Sequence, residues 1–241
     1  MIKQMMDLFR LQMQRYRYWP QYRGSLADPT KLLEIDPFEV EYKISNEDFE
    51  SPPPKYGIVG GDWDMKKIEH TKSKYGTYKM LYEHFNNNKQ WKETKKYQQD
   101  VEKIKSGENL GRLDYKEPNK KVYDEYLTYI DELYYQIKSN GYKSQNELNS
   151  ENDFLNRSPG ILNEAAVNIG RNGDIMKTHG GHRIIIAKLL EIDEIPVRVA
   201  VRHEHWQNKR YQIWKHGGIT KDATLQKKSD HPDMVDLISN I

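Results

Sequence analysis

The sequence predicts an α+β fold in which helices pack on a small mixed sheet. Apolar and polar residues alternate in 32–44, 166–178 and 195–202, which is the period of β-strands. Apolar residues recur at three- and four-residue steps in 77–85 and 122–139, which is the period of helices that pack by one face. No internal repeat is found. The length of 241 residues predicts one domain with elaborations, or two small domains.

The composition is that of a polar globular protein. The 241 residues carry a formal net charge of +2, with 36% hydrophobic, 31% charged and 11% aromatic residues. Because the chain has no cysteine, disulfides, thiolate metal sites and cysteine nucleophiles are excluded. This fits a reducing compartment, and we expect a cytoplasmic protein. Balanced charge does not favour a nucleic-acid partner, although that class stays an alternative.

The strand elements can be placed individually. Residues 31–44 read as strand, turn and strand around Asp36 and Pro37, or as one strand with an irregular return. Residues 46–56 form a proline-rich loop. In the last third, strands at 166–170 and 175–178 flank Asn172-Gly173, the signal of a tight hairpin.

The helical segments suggest three regions. Residues 1–27 form an N-terminal helical extension, whose helix over 1–18 is closed by Pro20. We favour a packing helix there over peripheral membrane contact through residues 1–19. Residues 28–210 form the main domain, with a helical insertion at about 65–121, and residues 211–241 form a tail that ends in a small helix from Met234.

The strongest chemical signal is a glycine turn between a predicted strand and an apolar helix. Two glycines let an anion approach the unpaired N–H groups at a helix N-terminus. Cationic side chains in a first helical turn are unfavourable unless an anion is bound there. The alternative is an ordinary turn with solvated side chains. The predicted phosphate-binding residues are Thr178, His179, Gly180, Gly181, His182 and Arg183.

A second candidate is the segment Gly60 to Asp64, in which one carboxylate lies on each side of a tryptophan. Asp62 and Asp64 could hold a magnesium ion or accept a hydroxyl proton. The alternative is a turn with a capping aspartate and a buried Trp63. Five histidines lie between residues 179 and 216 without a zinc-binding spacing, so a structural zinc site is not favoured. The lysines of 89–121 are interspersed with acidic residues, which indicates a solvated face.

The last third, about 122–207, resembles the ParB and sulfiredoxin superfamily. The shared order is a helix ending at Gly141, a strand and hairpin over 167–173, the turn and helix over 180–187, and an Ile-Pro-Val strand at 195–197. Gly180 and Arg183 match the Gly-x-x-Arg phosphate motif of the family, whereas Ala187 lies one position late. The cysteine of the sulfiredoxin turn is missing, which excludes sulfinic-acid reduction by a cysteine.

The chain also resembles an archaeal group of ParB-like proteins from Asp28 onward. The shared segments are Gly60–Asp64, Trp91–Thr94, Gly141–Gln145 and Arg202–Trp206. His179 departs from the aspartate frequent before the glycine in such sequences. The resemblance implies nucleotide binding, with outcomes that differ between DNA clamps and phosphotransferases. No helix-turn-helix pattern is evident, which favours a phosphotransferase.

We therefore expect a kinase that transfers phosphate from a nucleotide, most simply ATP with Mg²⁺, to a hydroxyl of a small molecule or glycan. Asp62 or Asp64 is the expected base or magnesium ligand, with His182 as a further catalytic candidate. Two alternatives stay open: a nucleotide-gated DNA- or protein-binding switch and a ParB-type nuclease. The acceptor, the donor base and the oligomeric state stay open as well. Residues expected to line the site are Gly61, Trp63, Gln145, Lys177, Arg202 and His203.

Overall fold

The computed structural model describes residues 2–44, 56–69, 76–108, 110, 119–151, 160–217 and 230–238. Residues 46–55 of the predicted loop, and residues 109 and 111–118 at the end of the predicted helical insertion, lie outside these residues. The strands are β1 Leu32–Ile35, β2 Tyr42–Ile44, β3 Gly57–Val59, β4 Lys67–Glu69, β5 Ala166–Ile169, β6 Ile175–His179 and β7 Ile195–His203. The helices are α1 Ile2–Tyr22, α2 Thr77–Phe85, α3 Lys95–Lys105, α4 Lys120–Asn140, α5 Gln145–Glu151, α6 Gly160–Asn163, α7 Gly181–Leu189, α8 Glu204–Lys215 and α9 Val235–Ile238.

The predicted α+β class with a mixed sheet is confirmed. In the described residues the strands form one seven-stranded sheet in the order β1-β7-β5-β6-β2-β4. Strand β3 continues the β1 side of the sheet, because it pairs with the second half of β7. Strands β5 and β6 pair antiparallel through the predicted hairpin, whereas β5 and β7 pair parallel. The sheet is therefore centred on β5 and β7, the two strands that are almost wholly buried.

The pairing register defines two ends of the sheet. At one end, which we call the hairpin end, residues 170–174 join β5 to β6, and Ile169 lies opposite both Ile175 and Arg202. At the other end, which we call the turn end, β6 finishes at His179 opposite Ala166. Strand β3 runs parallel to β7 and finishes opposite His203, so the residues after Val59 lie at the hairpin end.

The connection from β1 to β2 begins at the turn end. Strand β1 is antiparallel to β7 and finishes with Ile35 opposite Ile195. Strand β2 lies four positions away in the sheet, which is about 19 Å at the usual strand spacing. Seven peptide steps reach at most about 25 Å, so residues 36–41 follow a nearly direct path.

The chain divides into two compact units. The first comprises 1–68, 143–181 and 193–241, and the second comprises 69–142 and 182–192. The first unit holds the sheet, and one of its buried clusters contains Trp63, Ala166, Met176, Ala200 and Val201. The predicted boundaries after residues 27 and 210 stay predictions.

The second unit has a core of aliphatic and tyrosine side chains from its helices. Leu81, Leu127, Ile130 and Ile186 are each at most 2% exposed. Burial of this kind stabilises a fold by roughly 1.5–3 kcal/mol for each large side chain. Because α2, α4 and the body of α7 all contribute to this core, their apolar faces match the predicted helical periodicity.

A polar cluster in the second unit orients the segment Trp91–Thr94. Trp91 stacks on His84 at 3.7 Å between ring centroids, and both side chains contact the carboxylate of Asp131. Thr94 caps α3 by accepting a hydrogen bond from the Tyr97 N–H. The Trp-x-x-Thr segment therefore has a packing and capping role in this unit.

Three local predictions are corrected. Helix α1 does not end at Pro20 but continues to Tyr22, whose ring is buried and stabilises the last turn. Residues 67–69, expected to be helical, form β4, because their pairing partner is a distant strand that local periodicity does not encode. The small helix expected from Met234 is a 3₁₀ turn followed by α9; residues 239–241 lie outside the described part.

Candidate functional site

The predicted phosphate turn has the backbone geometry that anion binding needs. Strand β6 ends at His179, Gly180 has φ +69°, and α7 begins at Gly181. A positive φ of this size strongly favours glycine. Helix α7 has no acidic residue in its own first turn to offset the positive end of its dipole. The turn therefore presents N–H groups and a positive partial charge.

Lys177 brings a full positive charge to the same place. A Cβ added to Gly181 would lie 3.1 Å from both Cδ and Nζ of Lys177. The lysine side chain thus lies against the glycine backbone, and a larger residue at 181 would press on it. Because an ammonium group beside a helix N-terminus is electrostatically unfavourable, a bound anion would offset this cost.

The first turn of α7 carries two further cationic side chains. The Nε2 atom of His182 lies 2.6 Å from the Tyr126 hydroxyl, and the two rings meet edge to face. This contact holds the imidazole in one orientation. Arg183 is partly buried, whereas Thr178 and His179 on the strand side are exposed.

At the hairpin end, Asp64 and Arg171 form a bidentate ion pair. The Arg171 side chain donates to Asp64 at 2.7–3.0 Å, and the Arg171 backbone N–H also donates to the carboxylate at 2.7 Å. A further guanidinium N–H donates to the Gly61 carbonyl and to Asp62. Arg171 therefore fastens the loop after β3 to the β5–β6 hairpin.

This ion pair gives the two predicted carboxylates different roles. Burial alone would raise the pKa of Asp64, but hydrogen bonds from the Arg171 side chain and backbone hold that pKa below its ordinary value. Asp64 is 4% exposed, and its oxygens are already occupied by donors. The Asp62 side chain is 85% exposed and touches the same guanidinium by one oxygen. Asp64 thus acts as a structural anchor in this arrangement.

The residues do not fit a magnesium site at this position. A magnesium ion bound by Asp64 would have to displace Arg171, because both need the same carboxylate oxygens. Within the described ranges, no group of three or more His, Asp or Glu side chains is placed to hold a metal ion. A metal ion bound by Asp62 and Asp64 therefore does not fit this arrangement.

His203 and Trp63 hold the same loop from its inner side. The His203 Nδ1 accepts from the His205 backbone N–H, which leaves the proton on Nε2, and Nε2 donates to the Gly61 carbonyl at 2.8 Å. Trp63 donates to the Val59 carbonyl and packs 5.7 Å from the His203 ring. His203 is 1% exposed, so these contacts support the loop rather than reach solvent.

Arg202 belongs to a second ion network, also at the hairpin end. Its guanidinium donates to both oxygens of Asp233, which also accepts from the Trp206 indole. Arg210 lies 3.6 Å from the same carboxylate. Burial would raise the pKa of Asp233, but the charges of Arg202 and Arg210 lower it to about 2. Asp233 was not singled out in the sequence, because an aspartate in a polar tail shows no distinguishing pattern.

Gln145 lies on the side of the turn end. Its backbone N–H donates to Glu164, a fully buried residue two positions before Ala166. Since Ala166 lies opposite His179, Glu164 and the start of α5 are placed at the turn end. The Gln145 side chain is partly buried there.

The two predicted parts of the catalytic site lie at opposite ends of the sheet. His179 is level with Ala166, whereas Arg171 lies in the hairpin beyond Ile169, the last residue of β5. The length of β5 alone separates the two by about 10 Å at the usual strand rise. A base must reach the reacting hydroxyl within hydrogen-bond distance. The register therefore does not bring Asp62 or Asp64 to a phosphate held at the turn.

Three further carboxylates lie at the end of β1 or in the connection that follows it, and the sequence pattern did not single them out. Glu34 lies opposite Pro196 near the end of β1, and Asp36 and Glu39 follow in the connection to β2. Asp36 is used as a cap, since it accepts from the Phe38 N–H at 2.7 Å. Burial, and then the charge of Asp36, raises the pKa of Glu39. The register of β1 shows only that this connection starts from the turn end, which no local pattern reveals.

Comparison with known proteins adds no assignment to these observations. No family model, no curated protein and no solved structure matches the chain. The function is therefore inferred from the geometry of the two ends of the sheet.

Proposed function

We propose that the chain is a nucleotide-dependent phosphotransferase whose phosphate site is the turn at Gly180 and Gly181. The observation that carries the proposal is the position of the Lys177 amine against Gly181, at the start of α7. A lysine and a helix N-terminus that meet on a glycine backbone are suited to a phosphate group. His182 and Arg183, from the first turn of α7, add cationic side chains next in sequence.

The order of elements supports a ParB- and sulfiredoxin-like core as part of this proposal. Strand β5, the hairpin, β6, the glycine turn, α7 and the Pro196-containing β7 follow one another as the resemblance implies. In that superfamily the turn before the helix binds nucleotide phosphates. The proposal therefore places the same chemistry at the same step of the chain.

We place the general base on Glu39 rather than on Asp62 or Asp64. Glu39 lies on the connection that starts from the turn end, and its raised pKa brings its proton affinity closer to neutral pH. Asp64 is held by Arg171 and lies at the hairpin end. A carboxylate near the turn can accept the proton of an acceptor hydroxyl; an anchored carboxylate at the opposite end cannot.

The proposed reaction moves one phosphoryl group. When bound, the nucleotide supplies its terminal phosphoryl group together with any magnesium that accompanies the phosphates. Glu39 takes the proton of the acceptor hydroxyl as the new oxygen–phosphorus bond forms and the bond to the nucleoside diphosphate breaks. Lys177 and the N–H groups of the turn stabilise the charge on the transferred oxygens. We expect the acceptor to be a small molecule or a glycan.

The test measures binding and transfer separately. Thermal shifts with ATP, ADP and CTP, each with and without magnesium, report binding, because a ligand of the native state raises its stability. Transfer is followed with γ-labelled ATP and a pool of metabolites and oligosaccharides. We expect Lys177→Ala to lose the thermal shift, with the exposed Lys92→Ala as the matched charge control. Glu39→Gln should keep the shift and lose transfer, whereas Asp62→Asn should keep both.

Each part of the proposal has its own contrary outcome. If no nucleotide stabilises the protein, the phosphate site is wrong. If nucleotide binds and no label is transferred, a nucleotide-gated binding switch replaces the kinase. If Asp62→Asn abolishes transfer while Glu39→Gln retains it, the base lies at the hairpin end and the present assignment is wrong.

A further inference from the structure

Helix α1 exposes a continuous stripe of large apolar side chains. Phe9 is 62% exposed and Tyr16 is 73% exposed, with Met6, Met13 and Trp19 each between 42% and 49%. Met6, Phe9, Met13 and Tyr16 follow one another at three- and four-residue steps, so they lie on one side of the helix. Scattered exposed apolar residues are common, but an aligned stripe on one helix indicates a binding surface.

The opposite side of α1 is fixed to the rest of its unit. Leu11 is 1% exposed and Tyr22 is 2% exposed, and the Tyr18 hydroxyl donates to the Ile58 carbonyl at 2.9 Å. At 3.6 residues per turn, this buried side points about 180° away from the stripe. Rotation of α1 about its own axis could bury the stripe only by exposing the side that is already packed. The apolar stripe therefore faces away from the unit.

The charges around the stripe are nearly all positive. Residues 1–23 contain five Lys or Arg residues and one acidic residue, Asp7, which is a formal charge of +4 against +2 for the whole chain. The rest of the chain is thus slightly acidic. Arg10 and Arg17 are exposed and lie one heptad apart on the same flank of the stripe, and Arg23 is exposed just beyond the helix. Long arginine side chains at such positions can reach lipid phosphates while the apolar residues insert.

We propose that this face of α1 binds the surface of an anionic lipid membrane, with the helix lying in the plane of the interface. Exposed Phe, Met, Tyr and Trp side chains beside arginines are the composition of interfacial helices. The structure offers no helix of the described residues that is long and apolar enough to cross a membrane, so this contact is peripheral. A second copy of the chain fits the stripe less well, because two α1 helices would bring two charges of +4 together.

Vesicle co-sedimentation with the full chain tests the proposal. The probes are vesicles of phosphatidylcholine alone and vesicles with about 30% phosphatidylserine, which carry the negative surface that attracts basic segments. We expect partitioning onto the anionic vesicles to be at least about ten-fold stronger and to fall as salt is added. Phe9→Ser with Met13→Ser should weaken it by about ten-fold or more, because the inserted apolar area is lost. Arg10→Gln with Arg17→Gln should weaken it by about twenty-fold.

Matched controls separate the stripe from general stickiness. Tyr129→Ser removes a 56% exposed aromatic residue from α4, and Lys92→Gln with Lys103→Gln removes two exposed charges from the second unit. Both controls should bind vesicles like the parent protein. We expect the stripe variants to stay folded, since the substituted side chains are exposed. Circular dichroism and thermal unfolding verify this.

Three outcomes overturn the proposal. The first is equal binding to neutral and anionic vesicles, and the second is unchanged binding by both stripe variants. The third is a dimer in analytical ultracentrifugation that Phe9→Ser dissociates, which would assign the stripe to a second copy. Nucleotide binding and phosphoryl transfer are measured without lipid, so this inference and the proposed phosphotransferase can fail independently.

Discussion

The two ends of the sheet use charged residues in opposite ways. At the hairpin end, Asp64 with Arg171 and Asp233 with Arg202 form ion pairs whose hydrogen bonds are made within the protein. At the turn end, Lys177 lies against the start of a helix whose first turn has no acidic residue. At the hairpin end the carboxylates are paired within the protein, whereas the turn end places an ammonium group beside a helix N-terminus, the setting that our proposal assigns to a phosphate group.

The same comparison explains why the Gly-Gly-Asp-Trp-Asp segment looked catalytic. Two carboxylates beside glycines have the chemistry of a base or a metal ligand. In the folded chain, Arg171 comes from more than one hundred residues away and occupies Asp64. His203 and Trp63 then hold the loop from below. In this structure Asp64 anchors the loop to the hairpin, and we therefore propose the phosphate site at the other end of the sheet.

The largest expected effect is the loss of the buried carboxylate at the hairpin end. Asp233→Ala leaves Arg202 and Arg210 buried beside an empty position, and we expect it to lower the free energy of unfolding by about 3–5 kcal/mol. Urea unfolding followed by tryptophan fluorescence measures the change. Asp230→Ala, an exposed neighbour, is the control. A loss below about 1 kcal/mol would show that water solvates these ion pairs and that Asp233 contributes little to stability.

The hairpin end should also be the acid-sensitive end. The pKa of Asp233 in the folded chain is about 2, below its ordinary value, so its contribution to stability is complete above about pH 4. It is lost as the pH falls towards 2, and amounts to about 2 kcal/mol. The unfolding free energies of the parent protein and of Asp233→Asn should therefore converge as the pH falls from 4 to 2. A constant difference across that range would contradict the low pKa.

At the turn end, removing a charge should remove the response to ligand. Lys177→Met removes the ammonium group that lies against the N-terminus of α7, so we expect the thermal shift caused by nucleotide to be lost. Lys92→Met, at an exposed position of the second unit, is the matched control and should keep the shift. A Lys177→Met protein with an unchanged thermal shift would mean that the phosphate group is bound elsewhere.

The smallest expected effect is at Asp62. Its side chain is 85% exposed and shares Arg171 with the better placed Asp64, so Asp62→Asn should change the free energy of unfolding by less than about 0.5 kcal/mol. Asp64→Asn in the same urea experiment should cost several-fold more. Equal losses in the two variants would show that the anchoring is shared.

The helices and the hairpin follow from local rules. Alternation and the Asn172-Gly173 turn predict β5 and β6, and the glycine pair predicts where α7 begins. The apolar faces of α2 and α4 follow from a period of 3.6 residues. Predictions failed where a distant partner decides the outcome, as at β4 and at Pro20.

The sequence by itself determined the class of the fold, the position of the glycine turn and the cationic character of the residues beside it. Those properties depend on residues that are neighbours along the chain, whose conformations are set by local sterics and hydrogen bonding. Only the tertiary structure decided that Asp64 pairs with Arg171, that the connection after β1 starts from the turn end, and that the apolar side of α1 is exposed. Each of these depends on strand register or on packing between segments far apart in sequence, which side-chain periodicity does not encode.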